Sequence, residues 1–185
     1  MRLLWHDADK EGAAVIVVIE GIDRVGKTTL CNKLQEIGCK VFKDDLLECL
    51  QTHNADEKAI MATSSMNTLV NFAKLFKNEI IILDRFHATE LVYSVVDRKV
   101  NNYSAMTRFL AIESELKKLE NDYLYVFVEP TDIEWSSQKH GKDLSFHETF
   151  FEVIYEDIID EKNKMKVNFN SLDEVITKIK NLKGE

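Results

Sequence analysis

Val15-Ile16-Val17-Val18-Ile19-Glu20-Gly21-Ile22-Asp23-Arg24-Val25-Gly26-Lys27-Thr28-Thr29-Leu30 joins a β-branched apolar run to a glycine-bounded turn and then to the start of a helix. Its spacing is G-x-x-x-x-G-K-[ST], the phosphate-binding P-loop, with the strand before and the helix after that the motif requires. The two glycines let the backbone curl so that its N–H groups face phosphate oxygens, and the helix behind adds its positive N-terminus. The pattern gives phosphate binding to Gly21, Asp23, Val25, Gly26, Lys27, Thr28 and Thr29, with Lys27 on the phosphate oxygens and Thr28 holding Mg²⁺.

Around this loop the composition is that of one globular domain. The chain has 185 residues, 45% apolar and 30% charged, long enough to bury a substantial core. A net charge of −8 weighs against a duplex nucleic-acid binder, which needs a basic stripe, but not against a small anionic ligand in a local pocket. The three cysteines, Cys31, Cys39 and Cys49, have no paired C-x-x-C spacing, so neither a disulfide framework nor a zinc site is expected. With no apolar signal region in Met1 to Ala14, and with Ala13 to Ile19 as the longest apolar run, a soluble cytoplasmic protein is expected.

Along the chain, apolar runs alternate with amphipathic stretches. Strands are expected at 15–19, Cys39 to Phe42, Glu79 to Asp84, Tyr123 to Val128 and Met165 to Phe169. Leu30, Leu34 and Ile37 continue the loop helix, with Gly38 as its cap. Leu46 to Ala62 reads as partly helical, and helices are expected at Asn67 to Phe76, Ala88 to Val96, Tyr103 to Leu119 and Phe146 to Ile159. Ser171-x-x-Glu174 reads as a capping box opening a last helix, and Pro130 closes the fourth strand. The polar segment from Thr131 to Ser145 reads as a mobile loop. The alternation predicts an α/β three-layer P-loop NTPase fold: a five-stranded parallel sheet with helices on both faces, in a single domain over 1–185, with a short lid at about 130–145. Ligands of such sheets lie beyond the carboxyl ends of the strands, which singles out Asp23, Arg24, Lys43 to Asp45, Asp84 and Arg85.

Asp84-Arg85 is the second informative pair. A carboxylate at a strand end facing the loop can bind Mg²⁺ or orient an attacking oxygen, and the adjoining guanidinium can grip a phosphate bidentately. At this point the residues resemble a known family. Glu20-Gly21-Ile22-Asp23-Arg24-Val25-Gly26-Lys27-Thr28-Thr29 is similar to the thymidylate kinase signature E-G-x-D-x-x-G-K-[ST]-T. Asp84-Arg85-Phe86-His87-Ala88-Thr89-Glu90-Leu91-Val92-Tyr93 is similar to that family's D-R-[YFH]-x-x-S-x-x-A-[YF], with Thr89 for Ser and Val92 for Ala. Val167 to Val175 resembles its closing strand and helix.

The resemblance implies transfer of the ATP γ-phosphate to a deoxynucleoside monophosphate with Mg²⁺, most simply dTMP to dTDP, by a homodimer. It makes Arg24, Lys27, Asp84 and Arg85 catalytic, with Thr28 and Asp84 on the metal, and it places Asp23, Phe42, Lys43, Phe72, Arg85 and Tyr93 around the acceptor. An arginine inside the loop marks the eukaryotic or viral type, and the expected lid offers only Lys139 and Lys142. Phe72 would stack on the base, although a phenylalanine on a helix more often belongs to the core. The chain departs from the family pattern at Phe42-Lys43-Asp44-Asp45, where an arginine usually holds the acceptor phosphate. That departure leaves open a deoxynucleoside kinase with Asp44 or Asp45 as general base. A GTPase switch is disfavoured, because Asp84-Arg85-Phe86-His87 is not D-x-x-G and Asn163-Lys164-Met165-Lys166 is not N-K-x-D.

Overall fold

A computed structural model describes residues 14–43, 54–76, 78–119 and 123–183. The apolar run becomes β1 (Val15–Glu20), and Val17, Val18 and Ile19 are wholly buried, as a strand covered on both faces requires. Four strands join it: β2 (Lys40–Lys43), β3 (Ile80–Asp84), β4 (Tyr123–Glu129) and β5 (Lys164–Asn168). All pairings are parallel and the order is β2-β3-β1-β4-β5, so β1 is central. The chain winds outward from β1 to one edge, then returns across it to the other. This reversal opens a crevice at the carboxyl ends of β1, β3 and β4.

The helices cover both faces of the sheet. α1 (Lys27–Glu36) and α7 (Leu172–Lys183) pack together, while α2 (Ala55–Ala73), α3 (His87–Val96), α4 (Asn102–Lys117) and α6 (Ser145–Asp157) form the other layer. α1 ends where Gly38 predicts. The Gly38 N–H donates to Gln35 O and the Cys39 N–H to Leu34 O, each at 3.0 Å, a Schellman motif.

Three local expectations are corrected. The helix read as Asn67 to Phe76 begins at Ala55, because Asn54 and Glu57 form a capping box: the Asn54 side chain accepts the Glu57 N–H at 2.9 Å, and Glu57 accepts the Asn54 N–H at 3.2 Å. The segment read as a mobile loop contains a helix, α5 (Ile133–His140), capped by Asp132 accepting the Trp135 N–H at 2.9 Å and closed at Gly141. Ser171 does not open α7 through Glu174. Its Oγ accepts the Asn168 N–H at 3.0 Å in a short 3₁₀ turn, Phe169–Ser171, which also takes Phe169 out of β5. Residues 44–53, with Asp44, Asp45, Cys49 and the part of the ambiguous stretch from Leu46 to His53, lie outside the described residues.

Candidate active site

The loop that follows β1 folds tightly against its surroundings. Gly21 adopts φ 137°, and a Cβ there would run into the carbonyl oxygen of Val128 on β4. Gly26 adopts φ 103° directly under Phe169, whose ring carbon Cδ2 lies 2.6 Å from where a Cβ would stand. Both positions therefore exclude a side chain by backbone conformation as well as by space. Lys27, in the first turn of α1, is buried and donates to Gly21 O at 2.8 Å and to Ile22 O. Burial, and then the Arg85 charge, lowers its pKa from the ordinary lysine value to about 8, while Asp23, Asp84 and Glu20 pull the other way.

The end of β3 delivers the second group. The Asp84 carboxyl is buried, and its Oδ1 has no hydrogen-bond partner among the described residues. An orphaned buried carboxylate oxygen is costly unless something beyond the protein satisfies it, and a divalent cation or its water does so. Cys31 lies behind it, and burial together with the Asp84 charge pushes its thiol up. Arg85 takes φ 62°, unusual for a residue with a side chain, and its Nη2 donates to Asp23 Oδ1. A strand-end arginine is thereby turned back over the loop that follows β1. Tyr93 of α3 faces the same pair, and burial followed by the Asp23 charge raises its phenol.

The phosphate loop and Arg85 open onto a cleft of about 730 Å³ lined by residues Asp23 to Thr29, by Arg85, and by Thr131, Asp132, Trp135, Ser136 and Phe169, while Asp84 and Tyr93 are not in its lining. Arg24 lies on its rim, exposed, with φ 71°. Trp135 and Phe169 are about half exposed within it, at 49% and 51%. Sequence reading missed both aromatics, one assigned to a loop and the other to a strand. The capping pair Asp132 and Gly141 around Trp135 was the signal available.

Other expected site residues stand elsewhere. Phe42 and Phe72 are not brought to the cleft; they pack against each other and against Phe76, with centroids 6.3 and 4.9 Å from the Phe72 ring. Phe72 sits in the last turn of α2, the end that leads into the start of β3. Lys43 ends β2 in register with Asp84 but does not line the cleft. Lys142 is turned away as well: its Nζ donates to Asp97 Oδ2 at 2.5 Å and lies over the Tyr93 ring at 5.3 Å. His147 Nε2 is 2.9 Å from the other Asp97 oxygen. Burial alone would raise the Asp97 carboxyl, but the bonds from Lys142 and His147 bring it below its ordinary value.

The described residues contain no cluster of three or more metal-ligating side chains and no helix long and apolar enough to cross a membrane. No family model and no curated protein matches the chain. Solved structures do. The thymidylate kinase of Candida albicans, described for its broad substrate specificity, is 16% identical over 92% of this chain and 91% of its own, with a TM-score of 0.59. The YorR protein of Bacillus subtilis, solved with phosphorylated GDP, is 21% identical over 90% and 94%, at 0.62. The thymidylate kinase of Ehrlichia chaffeensis is 14% identical over 90% and 98%, at 0.60. The fold is that of the P-loop nucleotide kinases. At these identities the likeness is one of fold, and the five-stranded parallel sheet with its two helical layers is the expected architecture.

Proposed function

We propose that this chain transfers the γ-phosphoryl group of ATP to a deoxynucleoside monophosphate, most simply dTMP to dTDP, within cytoplasmic nucleotide synthesis. The observation that carries the reading is the convergence of Arg85, from the end of β3, on Asp23 and Lys27 of the phosphate loop. A triphosphate needs the loop and Lys27, whereas a further guanidinium turned over that loop suits a second phosphorylated ligand. An uncharged nucleoside would give Arg85 nothing to grip, which disfavours the deoxynucleoside kinase alternative.

In this reading the loop amides from Gly21 to Thr29 and the Lys27 ammonium hold the donor phosphates. The donor base lies against Phe169 and Trp135 in the cleft lining, where stacking needs no hydrogen-bond code. Arg85, with Asp23 and Tyr93 beside it, orients the acceptor. An acceptor phosphate oxygen bonds to the γ-phosphorus as the bond to the bridging oxygen breaks and ADP leaves. Arg24, in the cleft lining, faces the developing charge, while Lys142 is committed to Asp97. Thr28 and Asp84 would hold Mg²⁺, which supplies charge neutralisation between the phosphates. The segment at 130–145 is the lid that excludes water as a competing acceptor. The family resemblance also supports a homodimer.

ADP release from Mg·ATP against a panel of deoxynucleosides and their monophosphates tests the proposal. Stimulation by monophosphates is expected; stimulation by nucleosides alone, or by neither class, overturns it. In the same assay Arg24→Ala should lower kcat by about 10³-fold or more while donor affinity stays within about threefold. A kcat that is barely changed removes Arg24 from the mechanism.

A further inference from the structure

Glu20 ends β1 with its side chain wholly buried, and phosphoryl transfer as described gives it no task. Its Oε1 accepts three backbone N–H groups, from Phe86 at 2.9 Å, Ala88 at 3.0 Å and Thr89 at 3.2 Å. Its Oε2 accepts the Thr89 hydroxyl. These N–H groups open α3, where no intrahelical carbonyl can reach them, and Phe86 at the N-cap position supplies no side-chain cap. A carboxylate from a neighbouring strand thus does the work of the missing cap, with its charge at the positive end of the helix. The residue just before this cluster is Arg85. Its own N–H donates to Ile19 O at 3.0 Å, so the final two residues of β1 hold the backbone on either side of the Arg85 Cα. The residue that follows β1 is Gly21, where the phosphate loop begins.

We infer that Glu20 is a positioning residue: by clamping the start of α3 to the end of β1, it fixes the Asp84-Arg85 turn at a set distance from the phosphate loop. The inference rests on the proposed phosphoryl transfer for its catalytic consequence, but not for the clamp itself. A serine or threonine at position 86 could have capped α3 alone. Only a side chain rooted beside Gly21 ties that cap to the loop, so the guanidinium and the Asp84 carboxyl move with it as one body. The left-handed backbone at Arg85 needs such a restraint, because residues with side chains leave that conformation readily.

The test uses the full chain with Glu20→Gln, which keeps size and removes charge, and with Thr89→Val, which removes the hydroxyl but keeps the backbone bonds. Three quantities are read: amide exchange at Phe86, Ala88 and Thr89, acceptor kcat/KM, and affinity for an Mg·ATP analogue. In Glu20→Gln, exchange should quicken and acceptor kcat/KM should fall, each by about tenfold or more, with donor affinity within about threefold of wild type. Thr89→Val should shift both in the same direction by less, and Thr89→Ser should restore them. Unchanged exchange overturns the clamp. Acceptor efficiency falling only in step with donor affinity or folded fraction overturns the positioning role, leaving a mere helix cap. If Glu20→Gln does not fold, Thr89→Val against Thr89→Ser decides the same question. Should the wild-type chain phosphorylate no acceptor, the proposed function fails, while amide exchange still decides the clamp.

Discussion

Lys27 keeps its ammonium inside a loop of backbone carbonyls, and this parking place has a measurable cost. Burial and Arg85 hold its pKa at about 8 against an ordinary value of 10.5. The folded value is the lower one, so between those two pH values the unfolded chain binds more protons. This residue therefore opposes folding below about pH 8, and that opposition fades as pH rises through the window. A nucleotide phosphate beside the ammonium favours the charged form and raises the pKa. At pH 8, donor binding should thus take up about half a proton, seen by calorimetry in buffers of differing ionisation enthalpy. Lys27→Arg, charged at every accessible pH, should bind without the uptake. Its persistence in that variant would assign the proton elsewhere. Lys27 and its loop were legible in the sequence because the motif is local. The tasks of Glu20 and Phe72 were not. Glu20 meets partners 66 to 69 residues away, and Phe72 looks the same in sequence whether it faces a base or two other phenylalanines.

At the scale of elements, periodicity found what faces the core and missed what is held by caps. α5 is polar apart from Ile133 and Trp135, so no apolar stripe announces it. Its helicity rests on Asp132, on Gly141 and on few buried contacts, which suits the lid role proposed for it. α2 was cut short for the same reason, its Asn54-Glu57 capping box going unread among polar residues. Asp132→Ala should therefore weaken α5 selectively, by about 1 kcal/mol, the usual worth of a cap. Amide exchange at Trp135 and Ser136 should quicken about fivefold while the strands exchange as before. If the donor base stacks on Trp135 as proposed, Mg·ATP should slow that exchange again. Equal acceleration across the sheet would mean that α5 is no separate unit.

For the molecule as a whole, the five strands were legible because parallel strands buried on both faces read as unbroken apolar runs, β1 and β3 most clearly. The sheet order comes from pairings between distant segments, and no single stretch encodes it. Surface association is less legible still, because an apolar helix position reads the same whether it meets the core or a second chain. Exposure marks the apolar positions that do not face the core. On α4, Tyr103 and Leu110 stand two turns apart on one side, 83% and 47% exposed, and on the adjoining α2, Ile60 and Met61 are 58% and 39% exposed. Exposed apolar side chains on two packed helices suit a twofold contact between copies, in which each residue is used twice. Sedimentation equilibrium at micromolar concentration should then give twice the 21.4 kDa chain mass. Leu110→Glu, which would bury two like charges near one axis, should return the mass to that of a single chain with its helix content intact. A wild-type chain that sediments as a monomer would sink the proposed dimer, and a Leu110→Glu variant that remains dimeric would move the contact off this face of α4.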